Sequence, residues 1–139
     1  MNNCLTETAR KLFMNDRYAT ELTGIEIVSV SEHQCICSLL LVHRHCNARD
    51  TAMGGVLFTL ADFAAAVAAN SEDLSKEELH WVSLDAHIHY LAPALLGQRL
   101  TASCTALKHG RTTALYQTII ESPDSGKRIA VIGTTMMRV

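Results

Sequence analysis

The sequence predicts an α+β protein in which a curled antiparallel sheet of about six strands wraps round one long central helix. Three observations lead there. The run GGVLFTLADFAAAVAAN, residues 54–70, is apolar or small on every side apart from Thr59, Asp62 and Asn70. A helix that is apolar all round is expected to be buried all round. Six other runs, two before it and four after it, are rich in apolar and β-branched residues. The links between the last four are short and carry turn residues, which makes the sheet antiparallel.

Taken in order, Leu5, Ala9, Leu12 and Phe13 recur at helical spacing, so residues 3–15 are expected to form a short amphipathic helix. NDRYATELTG breaks it. GIEIVSVSE and QCICSLLLV then read as a hairpin joined by the polar bridge at 32–34. HRHCNARDTAM is a polar loop, and Gly54 and Gly55 open the central helix. Residues 54–70 would make a helix roughly 25 Å long, and its alanines let a concave sheet come close. After the charged connection SEDLSKEEL, strands are expected at 81–91, 98–107, 112–121 and 127–138. Their turn signals are Pro93 and Gly97, KHGR, and SPDSGK. In KHGR, Gly110 is expected to supply a positive φ to a hairpin turn. At 139 residues the chain suits one domain, 1–139, with a single core.

Composition narrows the partners. Apolar residues make up 48% and charged residues 19%, with a net charge of −2, which is the balance of a folded protein. No basic block occurs and aromatics are few, so nucleic acid and anionic membrane are poor partners. Residues 54–70 are too few, and too interrupted by Asp62, to span a membrane. The five cysteines, Cys4, Cys35, Cys37, Cys46 and Cys104, are odd in number and irregularly spaced. MNNCLTETARKLFMNDR lacks the apolar core of a signal peptide. Free thiols in the cytoplasm are the simplest expectation.

Asp62 is the residue that asks for a function. An ionised carboxylate buried without partners costs several kcal/mol or more, and no Lys, Arg or His stands three or four positions away on the helix. It must pair with a cation from elsewhere or face a cleft that water can reach. His43, His45 and Cys46 lie close together, and His87 and His89 alternate, but no usual zinc-ligand spacing is present. An exposed sheet face explains the alternating pair more cheaply, and Cys35 and Cys37 read as buried thiols on one face. No Gly-x-Ser-x-Gly elbow or phosphate loop occurs.

HCNARDTAMGGVLFTLADFAAAVAAN, VSLDAHIHYLAPALLGQRL and KHGRTTALYQ, in that order, resemble the hotdog-fold acyl-CoA thioesterases of the PaaI-like group. The likeness runs from about residue 24 to the C-terminus. It implies hydrolysis of an acyl-CoA thioester by a homodimer or a tetramer of dimers, with no metal and no cofactor. Carried over residue by residue, Asp62 matches the catalytic acid, acting as general base on water or as nucleophile. Asn47 matches an asparagine that holds the carbonyl or the water. Gly54 matches the first glycine of the family's His-Gly-Gly, whose N–H polarises the thioester oxygen. Ser83 matches a hydroxyl that assists the acid. Arg111, with Lys108 and the backbone at Gly110, becomes a contact for the phosphates of coenzyme A.

The chain departs from the family pattern at Met53, where histidine is usual, and at Asp50, where glycine is common. Met53 favours an alternative, a non-catalytic acyl-CoA-binding module of the same fold. A hydratase acting on enoyl thioesters is a third reading, and it lacks a histidine beside Asp62. Helix geometry adds a constraint on the roles that the resemblance implies. Gly54 and Asp62 are eight residues apart on one helix, about 12 Å along its axis. They cannot both touch one carbonyl, so a shared site must take Asn47 and Gly54 from one subunit and Asp62 and Ser83 from its neighbour.

Overall fold

The computed structural model describes residues 3–139. Two helices, α1 (Asn3–Phe13) and α2 (Gly54–Ala69), accompany six strands: β1 (Glu26–Ser31), β2 (Gln34–Leu40), β3 (Trp81–Tyr90), β4 (Arg99–His109), β5 (Thr113–Ser122) and β6 (Lys127–Arg138). One sheet holds all six in the order β1-β2-β4-β5-β6-β3, and every neighbouring pair is antiparallel. The sequence-based bounds lie within about two residues of these. The segment read as a simple break contains a π-helical turn, Tyr18–Thr23, and the charged connection contains a 3₁₀ segment, Ser71–Lys76.

α2 lies across the sheet and contacts all six strands. Ala61, Ala64, Ala65, Ala68 and Ala69 are fully buried, so the small side chains do permit the close approach their sequence suggests. Leu60 and Val67 of the helix meet Leu100, Tyr116, Ile120 and Ile132 in one core. β5 shows the expected alternation, burying Ala114, Tyr116, Thr118, Ile120 and Ser122 in turn.

One expectation fails. α2 is not covered all round, because a single curled sheet covers one side of it. Met53 is 54% exposed and Phe58 37% exposed, Gly55 is exposed, and Thr59 and Asp62 are half-buried. These positions follow helical spacing and form an open stripe along the first half of the helix.

Asn70 fixes the far end of α2 to the start of β3. Its side-chain oxygen accepts from the N–H of His80 (2.7 Å) and Trp81 (3.0 Å), and its amide donates to the carbonyl of Ala66 (2.8 Å). The sheet's two edges are treated differently. β1 is guarded by α1, whose Arg10 donates to the carbonyl oxygens of Ile27 and Val28 at a β-bulge. β3 is uncovered: Val82, Leu84 and Tyr90 are 44%, 58% and 54% exposed.

Candidate active site

Asp62 meets Ser83 on the open side of α2. The Ser83 hydroxyl donates to Asp62 Oδ1 at 2.8 Å. The register of β3 against β6 shifts between Ser83 and Asp85, a bulge that aims Ser83 at the helix. Asp62 therefore takes the second of its two options, a cleft rather than a buried cation. The cleft is a cavity of about 280 Å³ lined by Asp62, Thr59, Phe58, Phe63, Tyr18 and Asp16. Burial first, and then the charge of Asp62, push the Asp16 carboxyl above its ordinary range.

Gly54 stands at the other end of the open stripe. As the first residues of α2, Gly54 and Gly55 have N–H groups with no intrahelical acceptor, and Met53 at the N-cap position offers them no side-chain cap. The first turn thus presents free donors backed by the helix dipole. Tyr90, which sequence reasoning missed, holds this turn: its hydroxyl donates to the Gly54 carbonyl at 3.0 Å. A Cβ on Gly54 would lie 2.8 Å from that hydroxyl oxygen, so the helix start and the Tyr90 ring are in close contact. Gly54, Leu57, Tyr90 and Pro93 line a separate cavity of about 430 Å³.

Asn47 sits in the loop just before α2. Its Oδ1 accepts from the N–H of Arg49 (2.9 Å), the Thr51 hydroxyl (3.1 Å) and the Thr51 N–H (3.3 Å). The carbonyl end of the amide is thereby committed to the loop, which leaves Nδ2 as the group able to donate to a ligand. Asp50 has φ 58°, a left-handed conformation. Glycine is at ease there, and aspartate is among the few other residues that tolerate it.

KHGR forms the end of the β4–β5 hairpin. Gly110 is not in the left-handed region, which corrects the positive φ expected of it. Space is what it supplies: a Cβ there would lie 2.7 Å from the Thr113 carbonyl oxygen, which accepts from the Gly110 N–H at 2.9 Å. Arg111, Gly110, His109, Trp81, Glu72 and Arg138 line a cavity of about 500 Å³. Lys108 is exposed on β4 outside that lining. Arg138 adds a second guanidinium, 6.0 Å from the Trp81 ring centroid. Trp81 Nε1 is buried without an acceptor. Nothing in the sequence marks Arg138 or Trp81, because strand pairing alone brings them to this hairpin.

The other histidines have separate roles. His45 is buried; its Nδ1 accepts from the Val42 N–H (3.0 Å) and its Nε2 donates to the Thr23 carbonyl (2.6 Å), so neither nitrogen is free. His87 and His89 are exposed on β3, as expected of them. His33, Glu72 and His109 form a cluster that the sequence does not disclose. The rings of His33 and His109 stack with centroids 3.9 Å apart and planes 15° apart. A metal in the plane of one ring would lie well out of the plane of the other, so this stacked arrangement does not offer two good imidazole ligands. His109 Nδ1 is 2.8 Å from the Tyr116 hydroxyl. Burial, followed by neighbouring His33, holds the His109 imidazole below the ordinary histidine range. All five cysteines are free, and burial raises the Cys104 thiol to about 12.

A curled antiparallel sheet on a long helix, with a serine-paired carboxylate and a glycine-opened helix N-terminus, defines a hotdog-type enzyme fold. Residues 50–129 match the family model of the thioesterase superfamily. The chain is 31% identical over 116 residues to acyl-coenzyme A thioesterase PaaI of Escherichia coli, a match covering 84% of this chain and 79% of that protein. It is 27% identical over 130 residues to acyl-coenzyme A thioesterase 13 of Mus musculus, covering 94% and 91%. The solved structure of the E. coli PaaI protein superposes with a TM-score of 0.84 at 27% identity, covering 97% of this chain and 96% of that one. The chain belongs to the thioesterase superfamily, in its PaaI-like hotdog group.

Proposed function

We propose that the protein hydrolyses an acyl-CoA thioester to a free acid and coenzyme A. The observation that carries this reading is the carboxylate of Asp62, oriented by Ser83 and open to a cavity with aromatic walls. Asp62 takes a proton from water as the water oxygen attacks the carbonyl carbon. The C–S bond then breaks and the coenzyme A thiol leaves with a proton. Direct attack by the carboxylate is the other route open to it, through an anhydride that water resolves.

Negative charge on the thioester oxygen is met by the N–H of Gly54 and by Asn47 Nδ2. Within one chain Gly54 lines a different cavity from Asp62, and helix geometry separates the two by about 12 Å. The working site is therefore shared, with Asn47 and Gly54 from one subunit facing Asp62 and Ser83 of its neighbour. The uncovered β3 edge and the open stripe of α2 are the surfaces that a two-fold dimer, alone or paired into a tetramer, would cover. Arg111 and the Gly110 backbone take the phosphates of coenzyme A, with Lys108 adding charge at the hairpin. Helix-terminal donors and one carboxylate supply this chemistry without a metal or cofactor, and the free thiols fit work in the cytoplasm.

Met53 favours a second reading, in which acyl-CoA binds without being hydrolysed. Asp62→Asn separates the two. With a panel of acyl-CoAs in a thiol-release assay, this variant should lose about 10²-fold or more in kcat, with thermal stability unchanged or slightly raised. Near-normal turnover would remove Asp62 from the chemistry.

A further inference from the structure

The cavity at Asp62 contains a second carboxylate, Asp16, that neither the family motifs nor the reaction uses. Asp16 lies between α1 and the π-helical turn. Its backbone carbonyl accepts from Ala19 N–H (3.1 Å), Thr20 N–H (3.0 Å) and the Thr20 hydroxyl (3.2 Å), which holds the residue in place. The turn also supplies Tyr18 to the same cavity, beside Phe58 and Phe63 of α2. Among the described residues, none of those lining this cavity is a cation, and no ion pair or hydrogen bond engages the Asp16 carboxylate. The wall near the reacting centre is therefore aromatic and doubly acidic.

From this placement we infer that Asp16 is a specificity-determining residue that rejects acyl groups ending in a carboxylate. The inference rests on the reading of Asp62 as the catalytic acid, which puts the thioester carbonyl at Asp62, and it takes the adjoining cavity as the seat of the acyl chain. A cavity of about 280 Å³ is about 8 Å across if treated as a sphere. A carboxylate at the end of an acyl chain seated there meets the charge of Asp16 at comparable range. At an effective dielectric between protein and water, that repulsion changes a rate ratio by about tenfold. An uncharged chain or ring of the same size meets only the aromatic walls. Because Asp16 is exposed, salt should weaken the discrimination.

The test compares kcat/KM for two CoA thioesters of equal length, hexanoyl-CoA and the half-thioester of the six-carbon dicarboxylic acid. Asp16→Asn should raise the ratio of carboxylate-ended to neutral substrate by about tenfold, Asp16→Ser should do the same, and Asp16→Glu should leave the wild-type ratio. In the wild type, raising ionic strength should move the ratio in the same direction, a readout that needs no variant. If the carboxylate-ended thioester is not turned over, its competitive inhibition constant is read against hexanoyl-CoA instead. A ratio unchanged in Asp16→Asn and Asp16→Ser, with both substrates affected alike or not at all, would overturn the inference. Asp62→Asn run alongside on hexanoyl-CoA keeps the two claims apart. If that variant still turns over, the catalytic reading fails. If it is inactive while the Asp16 ratio does not move, only the inference about Asp16 fails.

Discussion

Alanine at Gly110 and alanine at Gly54 should have unequal effects, although each added Cβ meets an atom closer than 3.0 Å. At Gly110 the obstacle is backbone: the new methyl would lie 2.7 Å from the Thr113 carbonyl oxygen. The turn must open, and with it goes the 2.9 Å hydrogen bond from the Gly110 N–H. Loss of that bond, with crowding added, costs about 2 kcal/mol. The stiffer unfolded chain returns about 0.5 kcal/mol, since Gly110 does not have a positive φ. The remainder, between about 1 and 2 kcal/mol, lowers Tm by about 3–7 °C for a chain of this size. At Gly54 the obstacle is the hydroxyl end of Tyr90, the far end of a side chain that can shift where backbone cannot. The surface hydrogen bond it loses is offset by the better helix propensity of alanine, so Tm should stay within about 2 °C. Thermal unfolding of both variants at matched protein concentration checks the pair. Equal Tm losses, or no loss in Gly110→Ala, would refute the distinction between a backbone obstacle and a mobile side chain.

Two further outcomes are expected. His109 has its folded pKa lowered, chiefly by burial, so the folded chain takes this proton less readily than the unfolded one. Its contribution to stability is complete above the unfolded value of about 6.5 and is lost as pH falls through and below it. His109→Gln should therefore flatten the Tm–pH curve on the acid side, and an unaltered slope would assign that dependence to other groups. Arg111→Ala should weaken use of an acyl-CoA more than use of the matching acyl-pantetheine, which has no nucleotide phosphates for the guanidinium to hold. Equal effects on both substrates would leave Arg111 as a turn residue only.

Most of the fold was legible because its two periodicities are clean. The strands alternate or run apolar between strong turn residues, and residues 54–70 cannot be other than a core helix. What escaped was set by pairing between distant segments. The π-helical turn carries Tyr18 and Leu22 outward, 59% and 68% exposed, so no apolar stripe announces it. Arg138, Trp81 and the His33–Glu72–His109 cluster come together only through the order of strands in the sheet. The pairing of Asp62 with Ser83 was expected only from the family likeness, since no local rule links positions 62 and 83. The reading of α2 as covered on every side assumed that one sheet could enclose it. The open stripe is what that one sheet leaves uncovered, and Asp62 lies on it.

Whether each site draws on two chains is tested most directly by mixing Asn47→Ala chains with Asp62→Asn chains under conditions of subunit exchange. In a mixed dimer, one site collects both defects and the other collects neither. Random pairing makes half the dimers mixed, so about a quarter of all sites are wild type by the symmetry of a two-fold dimer. Thiol release from acyl-CoA should rise from the residual level of the parents to a plateau near about a quarter of wild-type activity. No recovery, with exchange verified by mass spectrometry, would mean that Asn47 and Asp62 act within one chain and would contradict the shared site.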